Sequence, residues 1–209
     1  MAGKRAQMME ETRAKLIAAA RRAFTEKGYS GTSMDDLTAA VGLTRGALYH
    51  NFGDKRGLLA AVVEEVDGEM AAGAMAEAER RGGSAWDKLL AEGSAYIEAA
   101  RNPEVRRIVL LDGPAVLGDP SQWPSQNACL TATMRSLETL AAKGAIKPVA
   151  IEAAARLLNG AALNAALWVA SSDTPDDVLQ DAITAFEQLA SGLLADDAEA
   201  GRTSPGQPR

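Results

Sequence analysis

Residues 32–55 read TSMDDLTAAVGLTRGALYHNFGDK, and the fold turns on this stretch. Ser33 followed by Asp36 has the capping-box pattern that opens a helix. Met34, Leu37 and Val41 then recur at helical spacing, so that helix has one buried face. Gly42 tolerates the positive φ that a sharp stop requires. Thr44 stands as the N-cap of a second helix, Arg45 to about Asn51. This second helix carries polar and aromatic side chains where a core helix would carry leucines. Two short helices around a tight turn make a helix-turn-helix, whose second helix lies in the DNA major groove. The stretch predicts a DNA-binding protein.

Charge is distributed to match. Over the whole 209 residues the formal net charge is −6, which taken alone argues against nucleic acid. Residues 1–58, however, hold ten Lys/Arg against six acids, a net of +4, and the remainder holds twelve against twenty-two, a net of −10. A basic head on an acidic body is the expected footprint when one end faces phosphates. The chain is 47% hydrophobic, enough for a proper core without staples. One cysteine, Cys129, excludes an internal disulfide framework and fits a reducing cytoplasm. No apolar run reaches the length of a membrane span, and residues 1–11 are charged rather than signal-like. The expected location is the cytoplasm.

Outward from the motif, Ala-rich helical patterns broken by Gly and Pro fill nearly everything, and no strand is expected. A first helix is predicted from about Glu10 to Lys27, burying Leu16, Ala20 and Phe24 and stopping at Gly28. Lys55 to about Arg81 reads as one long connecting helix ended by Gly82-Gly83. Ser84 with Asp87 caps the next, which reaches Asn102. A shorter helix from Glu104 to about Asp112 leads into GPAVLGDPSQWPSQ, a loop or a set of helical turns. Helices follow at Asn127–Lys143, Pro148–Ala170 and Pro175–Ala195, the last with Thr174 as N-cap and proline at its first position. Residues 196–209 read as a disordered tail. The prediction is all-α, about nine helices: a three-helix DNA-binding head over 1–54 and a larger helical ligand-binding and dimerisation body over 55–195.

The wording AKLIAAARRAFTEKGYSGTSMDDLTAAVGLTRGALYHNFGDKRGLL resembles the N-terminal domain of the tetracycline-repressor (TetR) family of bacterial transcriptional regulators. The spacing of Phe24, Gly28 and Thr32, then Val41-Gly42, Leu48-Tyr49, Phe52 and Lys55, carries the resemblance across roughly a quarter of the chain. The remainder is similar only in length and helical texture. The resemblance implies a repressor that binds double-stranded DNA as a homodimer and is released by a small-molecule effector.

Within the second motif helix, Arg45 is the best candidate for reading a base, because its guanidinium can bond guanine O6 and N7 together. Thr44 and Ala47 suit a thymine methyl or a phosphate, and Gly46 lets the backbone approach the groove wall. Thr32 and Ser33 offer a hydroxyl and a helix N-terminus to one phosphate. The resemblance adds Tyr49, His50 and Lys55 as phosphate contacts. His50 is the one histidine, so it assembles neither a metal site nor a triad. Lys4 and Arg5 add a basic arm.

The resemblance also implies a pocket in the body. Trp86, Tyr96, Trp123 and Trp168 offer apolar wall, with Met134 and the polar Asn127, Asn159 and Asn164 beside them. Asp112 and Arg106 are lesser candidates. Asn164 lies in the apolar run AALNAALWVA, where an unpaired amide would be costly. The last two helices are expected to form the dimer interface. Gly160, Ala161 and Ala165 permit close approach, and Val178, Ile183, Phe186, Leu189 and Leu193 supply an apolar stripe. No metal, cofactor, membrane partner or catalytic residue is expected, because nothing here assembles an active site. The competing expectation is an architectural DNA-binding protein with a fully packed body and no effector.

Overall fold

The first helix is interrupted where the glycine predicts. In the computed structural model, which describes residues 2–195 and only the backbone of residues 2–5, α1 spans Ala2–Gly31 with Gly28 at φ 71°, ψ 171° inside it. The helix therefore starts eight residues before the expected Glu10 and resumes for a turn beyond Gly28. The Lys4 and Arg5 side chains and the expected tail at 196–209 lie outside the described residues.

α2 (Met34–Ala40) and α3 (Arg45–Phe52) follow, and both caps form as their sequences dictate. Ser33 Oγ accepts from the Asp36 N–H at 3.0 Å, and Thr44 Oγ1 accepts from the Ala47 N–H at 3.2 Å. Between the helices Gly42 takes φ 66°, a conformation that other residues adopt only with strain. Asp54 caps α4 (Lys55–Arg81), its carboxylate accepting from the Gly57 N–H at 2.7 Å. α3 is thus joined to α4 by Gly53 and Asp54 alone.

The body comprises α5 (Ala85–Glu98), α6 (Gly113–Leu117), α7 (Pro124–Ala142), α8 (Ile151–Ser171) and α9 (Pro175–Ser191). Ser84 and Asp87 complete the capping box at α5. Segment 104–112 departs from expectation. Val105–Asp112 is a π-helix, in which the Gly113 N–H reaches back to Ile108 O. GPAVLGDPSQWPSQ resolves into helical turns, α6 and a 3₁₀ turn at Pro120–Gln122. α7 begins at Pro124 rather than Asn127, because proline at a first helical position sacrifices no hydrogen bond. α8 begins three residues after Pro148. Residues 145–147 instead run antiparallel to residues 193–195, which follow α9 where a helix to Ala195 is expected, with the Lys147 N–H donating to Leu193 O at 2.8 Å. Thr174 occupies the N-cap of α9 without a side-chain cap bond; its carbonyl, not its hydroxyl, receives the Asp177 N–H.

One core cluster runs from Leu16, Phe24, Leu37 and Leu48 in the head, through Leu58, Val62 and Val66 of α4, to Ile97, Ile108, Val169 and Phe186 in the body. A second lies at the far end, around Trp86, Leu137, Leu140 and Ile146. α4 contributes to the first from Leu58 to Ala74 and so packs side chains against both head and body.

Candidate DNA-reading head and effector cavity

Leu48 of α3 is fully buried and Phe52 packs on the core with the Arg13 guanidinium over its ring, 4.9 Å from the centroid. Those anchors turn Thr44, Arg45, Gly46, Tyr49 and His50 outward, all exposed, with Ala47 half-buried. Tyr49 is 52% exposed, high for so large a ring. A side chain at Gly46 would meet nothing nearer than Thr44 Oγ1 at 3.7 Å, so the helix surface there is open. Arg45 makes a two-pronged ion pair with Asp35 of α2, which holds its fork across the turn and raises its pKa further. Both groups are well exposed, so the pair is weak and exchangeable for a base or phosphate.

Two phosphate candidates are placed differently from expectation. Thr32 is buried, and its hydroxyl donates to Gly28 O at 2.8 Å and approaches Ala23 O at 3.2 Å. Its N–H is engaged with Tyr29 O. It closes the end of α1 and has nothing left for a phosphate; Ser33 remains exposed. Lys55 Nζ lies 4.3 Å from the centre of the Tyr29 ring, a cation–π contact, and partial burial lowers its pKa.

Asp112, expected in a pocket, instead joins head to body. Its carboxylate accepts from the Tyr29 N–H at 2.7 Å and from Arg107 Nε at 3.2 Å. The Arg107 guanidinium fills the space a side chain at Gly28 would need, with Nη2 1.9 Å from an ideal Cβ. Arg106 caps the end of α8, donating to Ala170 O at 2.7 Å. Nearby, Arg21 of α1 bonds Glu104 and Glu69.

The body does contain a cavity, about 620 Å³ of empty space including its solvent-open mouth. α4, α5, α7, α8 and α9 wall it. Of the predicted pocket residues it gathers only Tyr96 and Asn159. Trp86 is buried in the second cluster, with Met134 packed against that cluster. Trp123 is wedged against Gly113, and Asn127 is exposed. Asn164 and Trp168 are exposed on the outer face of α8, so the Asn164 amide needs no internal partner.

Sequence reasoning missed Asp67, Glu92, Gln126, Cys129 and Thr133. Asp67 is fully buried on α4; it accepts from Ser125 Oγ and, at 3.1 Å, from Gln126 Nε2, which also reaches Tyr96 Oη at 3.2 Å. Burial and the Asp67 charge push the Tyr96 phenol well above its usual range. Thr133 Oγ1 donates to Asn159 Oδ1 at 2.9 Å. The missed signal was periodic: Asp67 falls on the 63-66-70-74 apolar stripe, where a carboxylate must find donors.

The outer face of α8 exposes Leu157 (75%), Gly160, Asn164 and Trp168 (49%) in one helical row, beside Leu189 (73%) of α9. Ala161, Ala165, Val178 and Leu193 are half-buried. Ile183 and Phe186 are buried inside the protomer and are thereby removed from the expected interface. Phe186 lines the cavity.

Comparison with known proteins accounts for both halves. Residues 16–62 match the model described as bacterial regulatory proteins, tetR family, and residues 86–193 match the tetracyclin repressor-like C-terminal domain. A solved TetR-family transcriptional regulator from Pectobacterium atrosepticum is 44% identical, covering 91% of this chain and 97% of that one, with TM-score 0.83. The chain belongs to the TetR family. The chain is also 42% identical over 60 residues to the transcriptional repressor AcnR of Corynebacterium glutamicum, covering 29% of this chain and 32% of that protein. It is 41% identical over 64 residues to the transcriptional regulator AcrR of Shigella flexneri, covering 31% and 30%. The match thus spans about a third of the length of these curated relatives. No helix among the described residues is long and apolar enough to cross a membrane.

Proposed function

We propose that this TetR-family regulator is a homodimeric repressor that binds a near-palindromic operator through α3 and is released by a small molecule entering the body's cavity. Arg45 reads a base, leaving Asp35 as it does so. Thr44, Gly46 and Ala47 meet the groove wall, and Ser33, Tyr49, His50 and Lys55 hold the backbone. Residues 1–54 are the DNA-binding part and residues 55–195 the effector and dimerisation part. The α8–α9 outer face, with Leu157, Gly160, Trp168 and Leu189, joins two protomers and sets two recognition helices about 34–36 Å apart.

The observation that carries the release step is the hydrogen bonding behind the cavity. Tyr96 and Gln126 line it and hold Asp67 of α4, the helix whose first residue lies three positions beyond α3. A molecule that re-pairs Gln126 alters the support of α4, and α4 re-aims α3. A 100-fold preference of the effector for the released state biases it by ~2.7 kcal/mol, within ordinary allosteric coupling. An architectural protein would have a packed body, and the cavity speaks against that.

Selection of bound genomic fragments at about 0.15 M salt, where non-specific phosphate binding is weakened, tests the reading. A shared palindrome is expected. Replacing Arg45 by Ala should relax one operator position and cost about 1–3 kcal/mol of binding. Broad recovery without a common site would overturn the operator reading.

A further inference from the structure

The cavity's charge is one-sided. Among the described residues Glu92 is the sole charged one on its wall, with no Lys, Arg or His lining it. Among the described residues nothing bonds or pairs with the Glu92 carboxylate, and burial pushes its pKa up. Asp67 adds a second carboxylate behind Tyr96 and Gln126, also without a cation. The Cys129 thiol registers the combined field: burial first, then Asp67 and Glu92, pushes it up to about 11. The rest of the wall is uncharged: aliphatic at Leu89, Leu90 and Leu158, aromatic at the Phe186 ring, which packs against Gly93 beside Glu92, and neutral polar at Tyr96, Gln126, Cys129, Thr133 and Asn159. One neutral donor is also unspent, since Asn159 Nδ2 is buried with no partner.

Resting on the effector-cavity reading above, we propose that the cavity takes a small organic cation whose apolar body fills the cleft and whose protonated nitrogen pairs with Glu92. In a poorly solvated cleft a cation supplies the countercharge Glu92 lacks, while an anion meets repulsion from two carboxylates. A hard metal ion favours several charged oxygen donors converging, and this wall offers one carboxylate, with no group of three or more His, Cys, Asp or Glu placed to hold a metal among the described residues. The rings of Tyr96 and Phe186 further favour positive charge. An acceptor atom on the ligand finds Asn159 Nδ2.

The test is calorimetric titration of the full chain at pH 7.5 with three probes of one body: 4-phenylbutylamine, 4-phenylbutan-1-ol and 4-phenylbutyrate. The amine should bind about 10-fold or more tighter than the alcohol, with the carboxylate weakest. Glu92→Gln should bring the amine down to the alcohol's affinity while leaving the alcohol unchanged, which also shows that the variant is folded. Equal or better binding of the alcohol or carboxylate to the wild type, an amine preference that survives Glu92→Gln, or no amine binding at millimolar concentration would each overturn the proposal. These titrations contain no DNA. Amine selectivity without any change in operator affinity would sink the release mechanism and keep the cation site; release by an uncharged compound with no amine binding would do the reverse.

Discussion

A residue's chemistry and its address together decide its role, and Thr32 and Glu92 show it in opposite directions. Thr32 has the hydroxyl and the helix-end position of a phosphate ligand, yet the chain folds its hydroxyl onto two carbonyls at the end of α1. Thr32→Val should therefore lower stability by about 1–3 kcal/mol in denaturant unfolding, with operator affinity per folded molecule unchanged. Glu92 looks like a surface carboxylate in sequence and is a half-buried one on a cavity wall in the fold. Its folded pKa is raised, so the folded state holds the proton more tightly than the unfolded chain does. The associated stability is present below the unfolded value near 4.5 and is lost as pH rises through the folded value. Glu92→Gln should accordingly raise Tm at pH 7 in the absence of ligand. Calorimetry across the range should show that gain shrinking toward pH 4.

At the scale of elements, the junction of α1 with the π-helix is the tie between head and body. In a π-helix residues five apart are brought into register, which sets Arg107 beside Asp112. Arg107 then packs where Gly28 has no side chain, and Asp112 receives the Tyr29 N–H. Removing Asp112 leaves that buried-side donor unpaired. Asp112→Ala should cost about 1–3 kcal/mol, and hydrogen exchange should show faster exchange at residues 29–31 with the α9 amides unchanged. Equal protection in both proteins would return Asp112 to the surface.

For the whole molecule, the two faces of α9 separate stability from assembly. Leu189 points out with Leu157 of α8, and Phe186 points in. Leu157→Glu combined with Leu189→Glu should give a folded monomer by light scattering, with operator affinity down about 100-fold or more as the two half-sites lose their linkage. Phe186→Ala should leave the dimer intact and destabilise each protomer by about 3–5 kcal/mol, read by denaturant unfolding. A dimer that survives the double charge substitution would place the interface elsewhere.

Much of this protein was legible in its sequence because the informative signals are local. Ser33, Gly42 and Thr44 act through bonds and backbone angles within a few residues, so the helix-turn-helix and its outward face follow from spacing alone. Capping and glycine stops likewise delimited α4 and the start of α5, while α5 gives way to a 3₁₀ turn after Glu98, short of the expected Asn102. The π-helix was not legible, since its register is set by packing among α1, α4 and α8. Nor was the cavity, whose wall joins five helices far apart in the chain. Two of nine pocket candidates reached it, because aromaticity marks burial but not the void it faces. Residue identity over a few neighbouring turns thus settled the helix-turn-helix, while tertiary packing alone decided which buried polar groups face a shared space and which face of each helix remains exposed.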